Sequence, residues 1–226
     1  MHRLSDPDLA AAAMLDGEAQ RDYIFKAISG RPYPFYRSAK SLYVTILSVA
    51  SLPLIPTDET LKRTIARKCR KGRKGEVPGN QAIVLALSKY AKDHRVTGIE
   101  FNFDPVPLGQ AGKRAFWAPY ILQIDGNRYI PHFIPRSGGI SADARRFIFS
   151  VTDTRIRKQD PARYGSLGLV IFEFNTLKGK ERSVVAHFDR GISLLSDQEI
   201  SDRVDAVYRT IDAIEADHEG REKKAS

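Results

Sequence analysis

Cysteine is almost missing from this 226-residue chain: Cys69 stands alone, which excludes an intramolecular disulfide and a cysteine-rich zinc module. No apolar run is long enough to span a bilayer, so no membrane partner is assigned. The opening, Met1-His2-Arg3-Leu4-Ser5-Asp6-Pro7-Asp8, lacks the basic stretch and long apolar core of a secretory signal, and the cytoplasm is the expected compartment. Several catalytic signatures are absent too. There is no Gly-x-Ser-x-Gly, no His-Glu-x-x-His, no dinucleotide fingerprint and no phosphate loop ending in Gly-Lys-Ser/Thr. No catalytic residue, metal-ligand set or cofactor is therefore assigned.

What is present suits a folded protein. The 42% hydrophobic and 28% charged residues are ordinary globular values and argue against wholesale disorder. The 36 Lys and Arg outnumber 27 Asp and Glu, a net charge of +9. The last 35 residues reverse that sign, with 5 basic and 9 acidic side chains. A basic body with an acidic tail suits a polyanionic partner, because each neutralised phosphate releases counterions.

The first part of the chain reads as helical. Ser5-Asp6-Pro7 opens a helix that Gly17 ends, and Glu18 to Ile28 forms a second, stopped by Gly30 and Pro32. Ser38 to Leu52 is a third. Thr57-Asp58-Glu59 caps a fourth, with Leu61, Ile65 and Cys69 on one face. Pro78-Gly79-Asn80 opens a fifth.

The period then changes. Val96 to Phe103 and Phe116 to Ile124 read as strands, and Asp125-Gly126-Asn127 as a hairpin turn into a return strand, Arg128 to Ile134. Ser141 caps a helix reaching about Lys158, and strands follow at Leu167 to Phe174 and Arg182 to Phe188. Ser196 and Glu199 form a capping box for a last amphipathic helix with Ile200, Val204, Val207, Ile211 and Ile214 on one face. The expected fold is mixed α/β: a central mixed sheet of about five strands flanked by helices, with a helical N-terminal layer. Expected boundaries are 1–76 for that layer, 77–216 for the core and 217–226 for a frayed acidic tail.

Candidate contacts to nucleic acid, DNA before RNA, come in two groups. Lys62, Arg63, Arg67, Lys68, Arg70, Lys71, Arg73 and Lys74 crowd thirteen residues, and Gly72 and Gly75 would let backbone amides approach a phosphate. Arg136, Arg145 and Arg146 surround Ser137-Gly138-Gly139-Ile140-Ser141, a flexible lead into a helix N-terminus. Other features carry two readings each. Gly109 to Arg114 is a phosphate cup or a hairpin connection. His132, His187 and Asp189 are metal ligands or ordinary strand residues. Cys69 is a reactive thiol or a small core hydrophobe. Tyr33, Phe35 and Tyr36 stack on bases or clamp a proline-rich connector.

From Pro78 to about residue 175 the element order is similar to the core of the restriction-endonuclease-like fold. That resemblance implies a Mg²⁺-dependent nuclease, with an acid on the second core strand and Glu-x-Lys on the third. The residues depart from it. Tyr129 to Arg136 holds neither carboxylate nor lysine, and the only Glu-x-Lys is Glu222-Lys223-Lys224. A second resemblance rests on Gly30-Arg31-Pro32-Tyr33-Pro34, on residues 54–63, on Gly109-Gln110-Ala111-Gly112-Lys113, and on Ser137-Gly138-Gly139 with Ala144-Arg145-Arg146-Phe147. These stretches resemble an uncharacterised family of rhizobial hypothetical proteins, some plasmid-borne. The resemblance carries no activity across.

Three functions are thus expected. The leading one is a non-catalytic protein that contacts nucleic-acid phosphate through the basic helix and loop. The second is a nuclease with displaced acids drawn from Glu100, Asp125 and Glu173. The third is a protein-interaction module, with Val207 and Ile211 of the last helix forming a dimer or partner surface.

Overall fold

The central hairpin is set by two residues. Asp125 and Gly126, both at positive φ (46° and 86°), join Ile124 to its cross-strand partner Asn127, the geometry that a two-residue type I′ turn requires. This turn links β4 (Tyr120–Ile124) to β5 (Asn127–Ile134) in a computed structural model. The described residues are 4–29, 35–47, 56–69, 75–101, 103, 106–108, 113–114, 120–136, 138–176 and 181–225.

β1 (Thr97–Glu100) pairs antiparallel with β4, and β6 (Gly168–Thr176) runs parallel to β5. β7 (Arg182–Phe188) closes the sheet antiparallel to β6, giving the order β1-β4-β5-β6-β7. Two short strands, β2 (Val106–Pro107) and β3 (Lys113–Arg114), form a separate ladder. The mixed five-stranded sheet matches the expected fold class.

Both faces of the sheet are covered, which is why β6 carries an unbroken apolar run from Leu169 to Ile171 continuing through Phe172 and Phe174. Its side chains alternate between two cores. Leu169 and Ile171 join Ile130 and Ile134 of β5 beneath α1 (Asp6–Ala13), α2 (Gly17–Ser29), α7 (Ala142–Thr152) and α9 (Asp197–Ala225). Val170, Phe172 and Phe174 join Tyr129 and Phe133 beneath α3 (Arg37–Lys40), α4 (Tyr43–Leu47), α5 (Asp58–Lys68) and α6 (Glu76–Asp93). The helices before residue 76 therefore serve both cores, and α5 packs directly on α6 across the expected boundary.

Most helix starts follow their caps. The side chains of Ser5, Thr57 and Ser141 accept from the backbone N–H of Asp8, Thr60 and Ala144. Ser196 and Glu199 form the reciprocal box, at 2.7 Å from Ser196 N to Glu199 Oε2 and 3.2 Å from Glu199 N to Ser196 Oγ. Three details differ from expectation. The third helix is two short ones, α3 and α4. The helix after Ser141 leaves α-geometry at Asp153, where a π-helical turn (Asp153–Arg157) leads to α8 (Pro161–Tyr164). Finally, helical backbone continues to Ala225, where a frayed tail was expected from residue 217. Arg21 meets Asp217 at 2.5 Å and ties that extension to α2.

Candidate functional site

Open α/β sheets hold ligands beyond the carboxyl ends of their parallel strands. Here those are the ends of β5 and β6, near Ile134 and Glu173. Glu173 is 3% exposed, and its Oε1 accepts from Arg145 Nη1 at 3.0 Å and from Ile140 N at 3.3 Å. Its other oxygen lies 3.5 Å from His187 Nε2, a buried atom without a hydrogen-bond partner among the described residues. Gly139, at φ 56°, passes so close that a Cβ there would stand 2.5 Å from Glu173 Oε2. Arg136 donates to the Gly139 carbonyl and to Asp8 of α1, both at 2.9 Å. Tyr23 of α2 also donates to Asp8, at 2.9 Å, and burial with the Asp8 charge pushes its hydroxyl above the usual phenol range.

This cluster is a structural joint. Of the arginines expected to face phosphate, Arg136 and Arg145 belong to it, Arg145 also holding the Ile140 carbonyl at 2.8 Å, and Arg146 holds the Ser193 carbonyl nearby at 2.6 Å. Their donors close the β5–α7 turn and tie down the lead into α9. These contacts compete with the phosphate role expected of the three arginines. A second joint lies nearby. Asp153, 3% exposed, meets Arg157 at 2.6 Å and Lys158 at 2.8 Å, and Arg157 reaches Asp189 at 2.9 Å. Asp189 in turn accepts from Leu169 N, pinning the end of the π-turn to β6.

The other cationic group is arranged differently. Lys62, Arg63, Arg67 and Lys68 of α5 are all exposed, whereas Leu61, Ile65 and Cys69 are buried against α6. Cys69 is thus a core hydrophobe at the C-cap of α5. Arg70, Lys71, Arg73 and Lys74 lie outside the described residues, as do residues 109–112, expected as a phosphate cup or a hairpin connection.

The acids offered for a nuclease do not converge. Glu100 sits on the edge strand opposite Tyr120, and Asp125 is at the far end of β4, where it faces His94 at 3.4 Å. Glu173 is three strands across the sheet from Glu100, roughly 14 Å at usual strand spacing. Among the described residues no group of three or more His, Cys, Asp and Glu is placed to hold a metal ion. His187 faces Glu173, Asp189 pairs with Arg157, and His132 is buried in β5.

Phe35 and Tyr36 are held against the fold, while the rest of the proline-rich connector lies outside the described residues. Their rings meet at 4.9 Å, Arg182 donates to the Tyr36 hydroxyl at 3.0 Å, and Asn80 donates to the Phe35 carbonyl at 2.7 Å. Tyr33 lies outside the described residues. The apolar face of α9 is not a surface either. Val207 and Ile211 are 0% exposed, packed on α1, α2 and α7, so a dimer or partner contact through them is corrected to a core role. Exposed large apolar side chains are elsewhere: Phe25 on α2 and Ile99 on β1, the latter 67% exposed.

Residues 7–223 match the family described as "Sliding clamp-binding bacterial toxin SocB". The chain belongs to the SocB family. It is 27% identical over 202 residues to the "DNA replication inhibitor toxin SocB" of Caulobacter vibrioides, covering 88% of this chain and 84% of that protein. No solved structure matches. SocB proteins are described by a protein partner, which overturns the leading expectation of a nucleic-acid-associated protein. The resemblance to a bacterial family holds at that level, while the restriction-endonuclease-like likeness has only element order behind it.

Proposed function

We propose that this chain binds a bacterial sliding clamp and thereby inhibits DNA replication. The observation that carries the reading is the SocB family match across residues 7–223, together with the Caulobacter vibrioides relative described as a replication inhibitor. The use of ionisable groups agrees with it. Glu173, Asp153 and Asp189 are engaged in ion pairs that brace the fold, an arrangement suited to a rigid binding body. Inhibition of this kind is stoichiometric: each clamp occupied is one withdrawn from replication, and the effect follows the ratio of the two proteins by mass action.

The test has two arms. Purified chain is passed over an immobilised bacterial sliding clamp, and the chain is induced in bacteria while DNA synthesis is followed by labelled thymidine. Saturable binding, with an arrest of synthesis that extra clamp relieves, supports the reading. Failure to bind, or an arrest that extra clamp leaves unchanged, overturns it.

A further inference from the structure

α5 is anchored by one face. Leu61, Ile65 and Cys69, four residues apart, bury against the core, and Lys62, Arg63, Ala66, Arg67 and Lys68 are left exposed. Their charges have little direct compensation. Among the described residues the one carboxylate in reach of these four cations is Glu59, 3.8 Å from Arg63, and both side chains are at least 70% exposed, so the pair contributes little. The arginines that brace the fold differ: Arg21, Arg136, Arg145, Arg155 and Arg157 each meet a carboxylate at 3.0 Å or less.

The helix dipole accounts for part of this. Arg67 and Lys68 lie in the last turn, where the carbonyl end of the helix favours cations. Lys62 and Arg63 lie too far back to benefit, and Arg63 and Arg67 stand at the i,i+4 spacing where like charges repel. Ala66, exposed between Lys62 and Arg67, leaves the middle of the face flat enough for close approach.

Resting on the sliding-clamp reading, we propose that this face of α5 is an electrostatic docking face for an acidic surface of the protein partner, and that it sets the rate of association. Exposed charges at an interface act chiefly on encounter: they raise the on-rate, and salt weakens them, while the off-rate follows the buried contacts.

The decisive variant replaces Lys62, Arg63, Arg67 and Lys68 together by alanine. The substitution keeps helix propensity and touches no buried side chain, so its circular dichroism should match the parent, with a melting temperature a few degrees lower from the lost dipole contacts of Arg67 and Lys68. Nuclease-treated full-length proteins are compared against immobilised sliding clamp at several salt concentrations. The expected result is an on-rate about tenfold lower at low salt, with a flattened salt dependence and an off-rate within about twofold of the parent.

Parent binding with an unchanged on-rate in the variant overturns the docking face and leaves the clamp reading standing. An effect confined to the off-rate also overturns it. No clamp binding by the parent removes the clamp reading, and the docking face with it. Binding of a 20-base-pair duplex as tight as that of the clamp, lost in the variant, would give the face to nucleic acid and overturn the proposal.

Discussion

Arg145 of α7 and Glu173 of β6 meet at 3.0 Å across the crossover that makes β5 and β6 parallel, with the carboxylate side chain 4% exposed. Removing one partner of such a pair leaves an uncompensated buried charge. Arg145→Ala is expected to cost about 3 kcal/mol, lowering the melting temperature by roughly 6–12 °C for a chain of this size. Arg145→Met with Glu173→Leu should recover much of that loss. Thermal melts of the single and double variants check both.

His132 carries a pH prediction. Its burial, with Lys40 adding repulsion, pushes the imidazole down to about 4, whereas an unfolded histidine titrates near 6.5. Between those values the unfolded chain takes up a proton that the folded chain refuses. The stability this histidine supports is complete above about pH 6.5 and drains as pH falls toward 4, by about 3 kcal/mol in total. Urea unfolding at pH 7, 6, 5 and 4 should show His132→Gln lacking that component. A parent-minus-variant difference independent of pH would refute it.

Tyr43 is fully buried among Phe133 and Phe174, and its hydroxyl finds no hydrogen-bond partner among the described residues. Burial holds that hydroxyl strongly protonated. Tyr43→Phe removes a desolvated polar atom and keeps the ring, so a gain of about 1 kcal/mol is expected. Denaturant midpoints measure it.

Two isoleucines should answer oppositely to truncation. Ile211→Ala opens a hole under α9 and is expected to cost about 3 kcal/mol. Ile99→Ala, on the exposed edge strand, should stay within about 0.5 kcal/mol. Equal effects at the two positions would contradict the placement of α9 in the core.

Sequence periodicity located the hairpin, β7 and the capped starts of α1, α5, α7 and α9, because each depends on neighbours a few residues apart. The role of Arg145 was not visible in this way. A pair of adjacent arginines beside a glycine-rich turn looks like an anion site until Glu173, twenty-eight residues on, is brought beneath it by a parallel strand pairing. Asn80 was hidden for the same reason. It read as part of a helix start, yet its fully buried amide accepts from Ala39 N at 2.8 Å and donates to the carbonyls of Phe35 and Glu76. The amphipathic pattern of α9 was legible, but periodicity shows only that a face is apolar. It does not say whether the chain itself covers that face.

The first and last helices share one core: Gln20 bridges the Ala12 carbonyl and Thr210, Arg203 donates to the Ala13 carbonyl, and Leu9 lies in the same cluster as Ile200 to Ile214. On the ribosome, that side of the sheet stays open until α9 emerges, since α9 is made after every strand it covers. An interrupted translation product lacking α9 would leave Ile130, Ile134, Leu169 and Ile171 without that cover. Such fragments are expected to expose that apolar face and to be cleared by cellular proteases before they can accumulate.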